Sequence, residues 1–384
     1  MKRKQLAILV ISLAVATLAI AQVASSGERS VAMSDRDQFG LHGPVRSCTE
    51  ENTSDGFTDA EGKTYPPIYS EQAREFDREG RVTATRSNNS DGSKWIVLQV
   101  YDASGRLLNI SSGIEGQTLT RTTYSYDNQG RLQRITNPGK PESAVTFRYD
   151  EHGKKSKIET LRPEDYHPNT ASGGSPFEAV DMAPNLPGGG TATTSYDEHD
   201  RATEVQVRDA SGVLVNRAVR TYDAQGHVVE EKQIVDDPSS MFPPEALAKI
   251  QEQSGMSTDQ LRHELGAKIT KLMGGESTPH TVAFTYDSDG RATHVRRRIF
   301  NFQQEIDTSY NEQGDVASET TRGKQVGEVT DQSSPSGPPE YSEVRYSYKY
   351  DDHENWIEKT TSYRSSPDGA FRSSPVTRRT LTYY

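Results

Sequence analysis

Three residue types recur at fixed offsets in this chain: an aromatic ring, a carboxylate directly after it, and a glycine three residues further on. The pattern stands at Phe76-Asp77-Arg78-Glu79-Gly80-Arg81, at Tyr101-Asp102-Ala103-Ser104-Gly105-Arg106 and at Tyr126-Asp127-Asn128-Gln129-Gly130-Arg131. It returns at Tyr149-Asp150-Glu151-His152-Gly153-Lys154, Tyr222-Asp223-Ala224-Gln225-Gly226-His227 and Tyr286-Asp287-Ser288-Asp289-Gly290-Arg291. An aspartate at the first corner of a type I turn accepts hydrogen bonds from the backbone two residues on. A glycine at the fourth place takes the left-handed conformation that resists a side chain. Together they make a three-residue hairpin loop with a bulge. The chemistry of the hexad is therefore chain reversal.

No motif for bond-making chemistry stands beside it. His263-Glu264-Leu265-Gly266-Ala267 lacks the second histidine of a zinc-protease helix. Gly173-Gly174-Ser175-Pro176 breaks off before completing a nucleophile elbow. Asp287 and Asp289 before Gly290 make half a calcium loop without its later bidentate glutamate, so the turn explains them. Neighbouring acids such as Asp351-Asp352 and Glu230-Glu231 alternate faces on a strand and do not converge. Cys48 is the sole cysteine, which excludes an intramolecular disulfide; we expect it half-buried on a strand. We assign no catalytic residue, no metal ligand and no cofactor, and expect no enzyme. A glycan-cleaving carboxylate pair assembled from distant repeats is the rival reading.

The elements that carry the hexads follow from their flanks. Tyr124 and Tyr126, Phe147 and Tyr149, Phe284 and Tyr286, and Tyr346, Tyr348 and Tyr350 alternate with polar residues, the period of a strand. Aliphatic or small residues follow the turns, among them Val82, Leu107, Leu132, Val228 and Ala292. Three degenerate copies begin at Tyr196, Tyr310 and Tyr350; Asp200 and Glu354 replace glycine in two of them. One period of about 24 residues thus holds two strands, a stereotyped turn and a variable one. The fold class is all-β: a curled antiparallel meander with a stripe of rings on one face. Tyr101, Tyr126, Tyr149, Tyr222 and Tyr286 belong to that stripe. Asp102, Asp127, Asp150, Asp223 and Asp287 shape the turns with Gly105, Gly130, Gly153, Gly226 and Gly290. For ligand contact we single out the two tryptophans, Trp95 and Trp356, as exposed rings.

This hexad and its spacing resemble the YD-repeat, or RHS-repeat, family. The last copy, Tyr350-Asp351-Asp352-His353-Glu354-Asn355-Trp356, and the closing Tyr383-Tyr384 resemble the terminal element of small secreted members. The resemblance implies curled sheets, which close into hollow shells when repeats are numerous. It implies roles in encapsulating toxins, in surface adhesion or in carbohydrate binding. About nine copies suggest a sheet too short to close. Repeat-like sequence runs to the C-terminal residue, so no toxin domain is expected.

The remaining segments differ in kind. Lys2, Arg3 and Lys4, the apolar run Leu6–Ala21 and Ala19-Ile20-Ala21 have the order of a secretory signal, assigned to residues 1–21. Residues 22–43 read as a flexible leader. YD-type repeats then occupy 44–235, with a Pro/Gly loop at 161–191, and resume over 282–384. Residues 236–281 are expected to insert a helical hairpin. There Ser257-Thr258-Asp259-Gln260 is a capping box, and Leu261, Leu265, Ile269 and Leu272 keep helical spacing.

Loss of Lys2, Arg3 and Lys4 takes the net charge from −11 to −14, which disfavours nucleic acid. Arg296-Arg297-Arg298 reads as solvated charge on an edge strand. No membrane span is expected after signal cleavage. The sequence therefore points to a secreted or periplasmic, non-enzymatic binding or scaffold protein. Its expected partners are envelope glycans or a surface protein. Self-assembly through free sheet edges is a third reading.

Overall fold

The computed structural model describes residues 34–54, 57–58, 64–65, 68–88, 92–137, 140–161, 175, 186, 188–237, 244–272, 278, 280–299, 302–325 and 340–384. The signal segment and the leader up to residue 33 lie outside the described residues, as does most of the 161–191 loop. The strands are β1 (Val45–Ser54), the short pair β2 (Phe57–Thr58) and β3 (Thr64–Tyr65), then β4 (Ile68–Phe76), β5 (Val82–Asn88), β6 (Lys94–Tyr101) and β7 (Leu107–Ile114). There follow β8 (Thr120–Tyr126), β9 (Leu132–Asn137), β10 (Lys140–Tyr149), β11 (Lys155–Leu161), β12 (Gly190–Tyr196), β13 (Ala202–Asp209), β14 (Leu214–Tyr222) and β15 (Val228–Val235). The last are β16 (His280–Tyr286), β17 (Ala292–Ile299), β18 (Phe302–Tyr310), β19 (Val316–Gln325), β20 (Tyr341–Tyr350), β21 (Trp356–Arg364) and β22 (Arg372–Tyr383).

Antiparallel pairing runs from β4 to β22 strand by strand, and β1 stands between β4 and β22. Cys48 lies opposite Arg74 on one side and Leu381 on the other; Glu50 lies opposite Gln72 and Arg379. Twenty strands therefore form a closed barrel, and each has two partners. The meander is as the sequence indicates, but the expectation that nine copies are too few to close is overturned. The tenth hairpin is not a hairpin at all: it is β22 against β1, joined by pairing of the two ends of the chain rather than by a turn. Closure also removes the free edges on which self-assembly would depend.

Residues 34–43 correct the leader assignment. Ser34 caps α1 (Asp35–Gln38). Arg36 N–H donates to Gly80 O at 2.9 Å, and Val82 N–H donates to the Asp35 carboxylate at 2.8 Å. Leu41 is buried with Val45, Cys48, Phe76 and Val82, and Phe39 packs against this cluster. With β1 seated between β22 and β4, this segment lies beside the closure and supplies partners for Gly80 O and Val82 N–H at the first hexad turn. Two further helices, α2 (Pro244–Ser254) and α3 (Thr258–Leu272), stand between β15 and β16. Ser257 and Gln260 exchange the two hydrogen bonds of the capping box, and Leu261 and Leu265 are buried.

The two faces of the sheet are unequal. On β20, Tyr346, Tyr348 and Tyr350 are half-buried while Arg345, Ser347 and Lys349 are exposed. Side chains converge on the concave face of a closed sheet and splay on the convex one. Ionic pairs stand on both: Arg379–Glu50 at 2.9 Å on the shielded face, and Lys349–Glu358 at 2.6 Å on the open one. Among the described residues, the larger buried cluster holds Leu186, Ala192, Tyr196, Ala202, Val205, Val207, Val215 and Ala218, where β12, β13 and β14 adjoin.

Candidate functional site: the ring of turns

All nine hexads lie on one rim. In each full copy the Asp N–H bonds the carbonyl four residues on, and the glycine N–H returns to the Asp carbonyl, as between Asp127, Arg131 and Gly130. One carboxylate oxygen of Asp127 accepts from Gln129 N–H and Arg131 N–H, both at 2.9 Å. The other accepts from the Arg131 Nε–H at 2.8 Å. Gly130 has φ +79°, the left-handed value the spacing requires. Asp200 and Glu354 hold the same conformation, at φ 62° and 64°, so the turn survives without its glycine. The backbone N–H of the arginine, and its guanidinium after that, hold the carboxyls of Asp102, Asp127 and Asp287 below the usual carboxylate range.

The turns are also clasped to one another. Pairing between successive hairpins stops short of this rim; β7 and β8, for example, pair only over Asn109–Ser112 and Thr120–Thr123. Each wedge left open receives the tyrosine of the next hexad. Tyr126 O–H donates to Leu107 O at 2.7 Å, Tyr149 to Leu132 O at 2.9 Å, Tyr222 to Ala202 O at 2.8 Å and Tyr310 to Ala292 O at 2.8 Å. These are carbonyls that the ladder has abandoned. The arginine of the preceding turn then covers the ring: Arg106 on Tyr126 at 4.9 Å, Arg131 on Tyr149 at 4.1 Å, Arg201 on Tyr222 at 4.5 Å. Asp positions Arg, and Arg lies on the next Tyr, so each repeat is ordered by its predecessor.

The ring changes chemistry towards the C-terminal end. Asp315 stands in the arginine place and accepts from Tyr350 O–H at 2.7 Å; with burial, this pushes the Tyr350 hydroxyl up to about 12. Asn355 follows in the next copy. Its amide donates to Tyr383 O–H and His42 O, and its carbonyl oxygen accepts from His42 N–H. Tyr384 N–H donates to Pro44 O at 3.0 Å, and its hydroxyl reaches Phe76 O. The terminal tyrosines thus do for the seam what a hexad tyrosine does elsewhere.

The stripe residues Tyr101, Tyr126, Tyr149, Tyr222 and Tyr286 all occupy such wedges, half-buried. The tryptophans do not form a pair. Trp95 is 42% exposed on β6. Trp356 is not the exposed ring expected: it is 8% exposed, with Arg379 lying 3.5 Å over its ring and Tyr348 at 6.2 Å. As first residue of β21 it falls in the last wedge, where any ring is covered. Cys48 is fully buried, and burial pushes its thiol up to about 11. Arg296–Arg298 lie on β17, which has partners on both sides and is no edge. Among the described residues, no group of three or more His, Cys, Asp or Glu could hold a metal ion. The residues overlooked by the sequence reading are the sixth hexad residues. Seven of nine are basic, from Arg81 to Arg291, which was the available signal.

The family model described as RHS Repeat matches residues 101–142. No curated protein matches the chain. Among solved structures, a porin-like protein from Bacteroides uniformis aligns with 89% of this chain and 99% of its own, at 10% identity and a TM-score of 0.34. Another, from Bacteroides vulgatus, covers 88% and 98% at 11% identity and a TM-score of 0.19. The stretch that resembles an RHS repeat, residues 101–142, is one segment of a closed barrel in which the same clasped turn recurs around one rim.

Proposed function

We propose that this is an exported, non-enzymatic binding or scaffold module. The clasped rim holds the barrel, and the opposite rim presents the segments that engage a partner. One observation carries the reading. Every connection on the hexad rim is the same hydrogen-bonded turn, whereas the opposite connections range from residues 300–301 to residues 236–279 with their two helices. Function concentrates in variable connections held by a rigid scaffold.

The partners that suit it best are envelope glycans or a surface protein. The signal-like amino end favours export to the periplasm or beyond. An outer-membrane barrel would need an apolar band around its outside; ionic pairs on both faces of this sheet favour water on both sides.

The test replaces residues 238–279 by a two-residue turn. The native chain and the variant are compared on a glycan array, in pull-downs of envelope proteins, and for release of reducing sugar. The reading expects capture without release, and loss of capture in the variant at a similar melting temperature. Sugar release abolished by a carboxylate substitution would make the protein a hydrolase or lyase instead.

A further inference from the structure

The arginine run at 296–298 divides between the two faces of β17. Arg296 is exposed on the outer face, whereas Arg297 lies on the face of the rings, opposite the buried Val282 on β16 and Gln304 on β18. Arg74, Arg220 and Arg379 stand on that same shielded face, and each pairs with a glutamate. Arg220 meets Glu231 at 2.7 Å, Arg379 meets Glu50 at 2.9 Å and Arg74 meets Glu50 at 3.6 Å. Arg297 departs from this rule. Among the described residues its guanidinium makes no hydrogen bond or ion pair, and its Nε–H is buried without an acceptor. Burial pushes the guanidinium below its usual range, against the pull of Glu231, which lies opposite the far side of Val282. The diagonal neighbour of Arg297 across the ladder is His280, whose Nε2 is likewise buried without a partner. A charge taken from water without a counter-charge is costly, and buried polar atoms of folded proteins are nearly always paired.

We propose that Arg297 and His280 form a site for a small monocarboxylate on the inner face of the barrel. The guanidinium fork matches the two oxygens of a planar carboxylate, and His280, with its proton on Nε2, donates a further hydrogen bond. Gln304, directly opposite Arg297, sets an amide beside them. The charge count selects one negative charge. Arg220 and Glu231 cancel each other, which leaves the single positive charge of Arg297. A neutral ligand would leave that charge uncompensated, and the Glu231 carboxylate opposes a second negative charge on the ligand. Burial, and then the Arg297 charge, bring His280 down to about 4, so at neutral pH it adds a donor and no charge. His280 opens β16 directly after the connection 236–279, so the site lies at that end of the barrel, inside it rather than on the connections. It goes beyond the reading given for the variable rim and stands without it.

Nitrogen–proton correlation spectra of the histidine side chains on the full chain test it, with acetate, inorganic phosphate and methylammonium added at ionic strength held constant by sodium chloride. Acetate should move one imidazole, the one missing from the His280→Gln spectrum, with a millimolar dissociation constant. Phosphate dianion should bind more weakly, and methylammonium should leave that imidazole in place. Arg297→Met keeps much of the side chain's length without its charge. It should weaken acetate at least about tenfold, the worth of one charge-assisted hydrogen bond. In acetate-free buffer it should melt no lower than the native chain, because it removes an uncompensated charge from a shielded place. Arg296→Met, on the outer face of the same strand, should bind acetate as the native chain does. No movement of that imidazole by acetate, tighter binding of phosphate, equal acetate binding by Arg297→Met, a lower melting temperature in that variant, or loss of binding in Arg296→Met would overturn the proposal.

Discussion

The two rims of this barrel are built by the same twenty strands, yet one repeats a single device nine times while the other tolerates connections of every length. The difference lies in where the ladder ends. On the hexad rim, pairing between hairpins stops early and leaves wedges with unpaired carbonyls, and most are filled by a tyrosine that an arginine of the preceding turn covers, with Lys155 over Tyr196 and His227 over Tyr286. That geometry dictates residue types at the ring, the turn and the clasp. On the other rim a connection has only to return the chain, and loop length alone costs little. Uniformity here is a consequence of unsatisfied backbone; variety is what its absence permits.

The comparison can be broken most severely at a wedge. Tyr196 is fully buried in the β12–β14 cluster, with Lys155 4.1 Å over its ring. Tyr196→Ala should cost about 3–5 kcal/mol by denaturant unfolding, the range for emptying an aromatic site in a core. Less than about 1 kcal/mol would mean that the wedge collapses freely and the rim is not tightly built.

A smaller effect is expected at the turn. Gly130 is left-handed, and a β-carbon there would stand 3.0 Å from the Arg106 guanidinium that covers Tyr126. Gly130→Val should cost about 1–3 kcal/mol. An unchanged melting temperature would contradict the turn assignment.

Acid should weaken the two rims over different pH ranges. The carboxyls of Asp102, Asp127 and Asp287 are held low in the folded chain. Their contribution is present above about 3.9, the ordinary aspartate value, and is lost as pH falls through their folded values. A second group acts at higher pH. Burial, and then the Arg297 charge, push His280 from 6.5 down to about 4. The unfolded chain binds that proton first, so stability falls between pH 6.5 and about 4. His280→Gln should flatten melting temperature over that interval, and a slope identical to the native chain's would refute the assignment.

The mildest change is an insertion on the variable rim. A short Gly/Ser stretch placed within residues 115–119 should cost under about 1 kcal/mol. The same stretch within residues 127–130 should cost more, because it separates Asp127 from Arg131. Equal costs would erase the distinction between the rims.

The local half of this was legible in the sequence. Asp and Gly three apart specify the turn by backbone geometry, alternating tyrosines specify strands, and Ser257 with Gln260 specifies the start of α3. Closure was not legible, because the register of Val45–Thr53 on Val376–Tyr383 depends on the accumulated curvature of all intervening strands. The order of Ser34–Leu41 follows from closure, since its partners Gly80 and Val82 become a seam only then. Trp356 misled for a related reason: a ring just after a turn is covered or exposed according to what the next strand brings, here Arg379 from β22.

Closure is the claim on which both rims depend, and a cross-link tests it directly. Thr49 and Thr380 are directly opposed on β1 and β22, at a separation that suits a disulfide. In a Cys48→Ala chain, Thr49→Cys with Thr380→Cys should oxidise rapidly within the monomer, giving a compact species on non-reducing gels and a raised melting temperature. Persistently free thiols, or cross-links formed only between chains, would contradict a barrel closed by its own two ends.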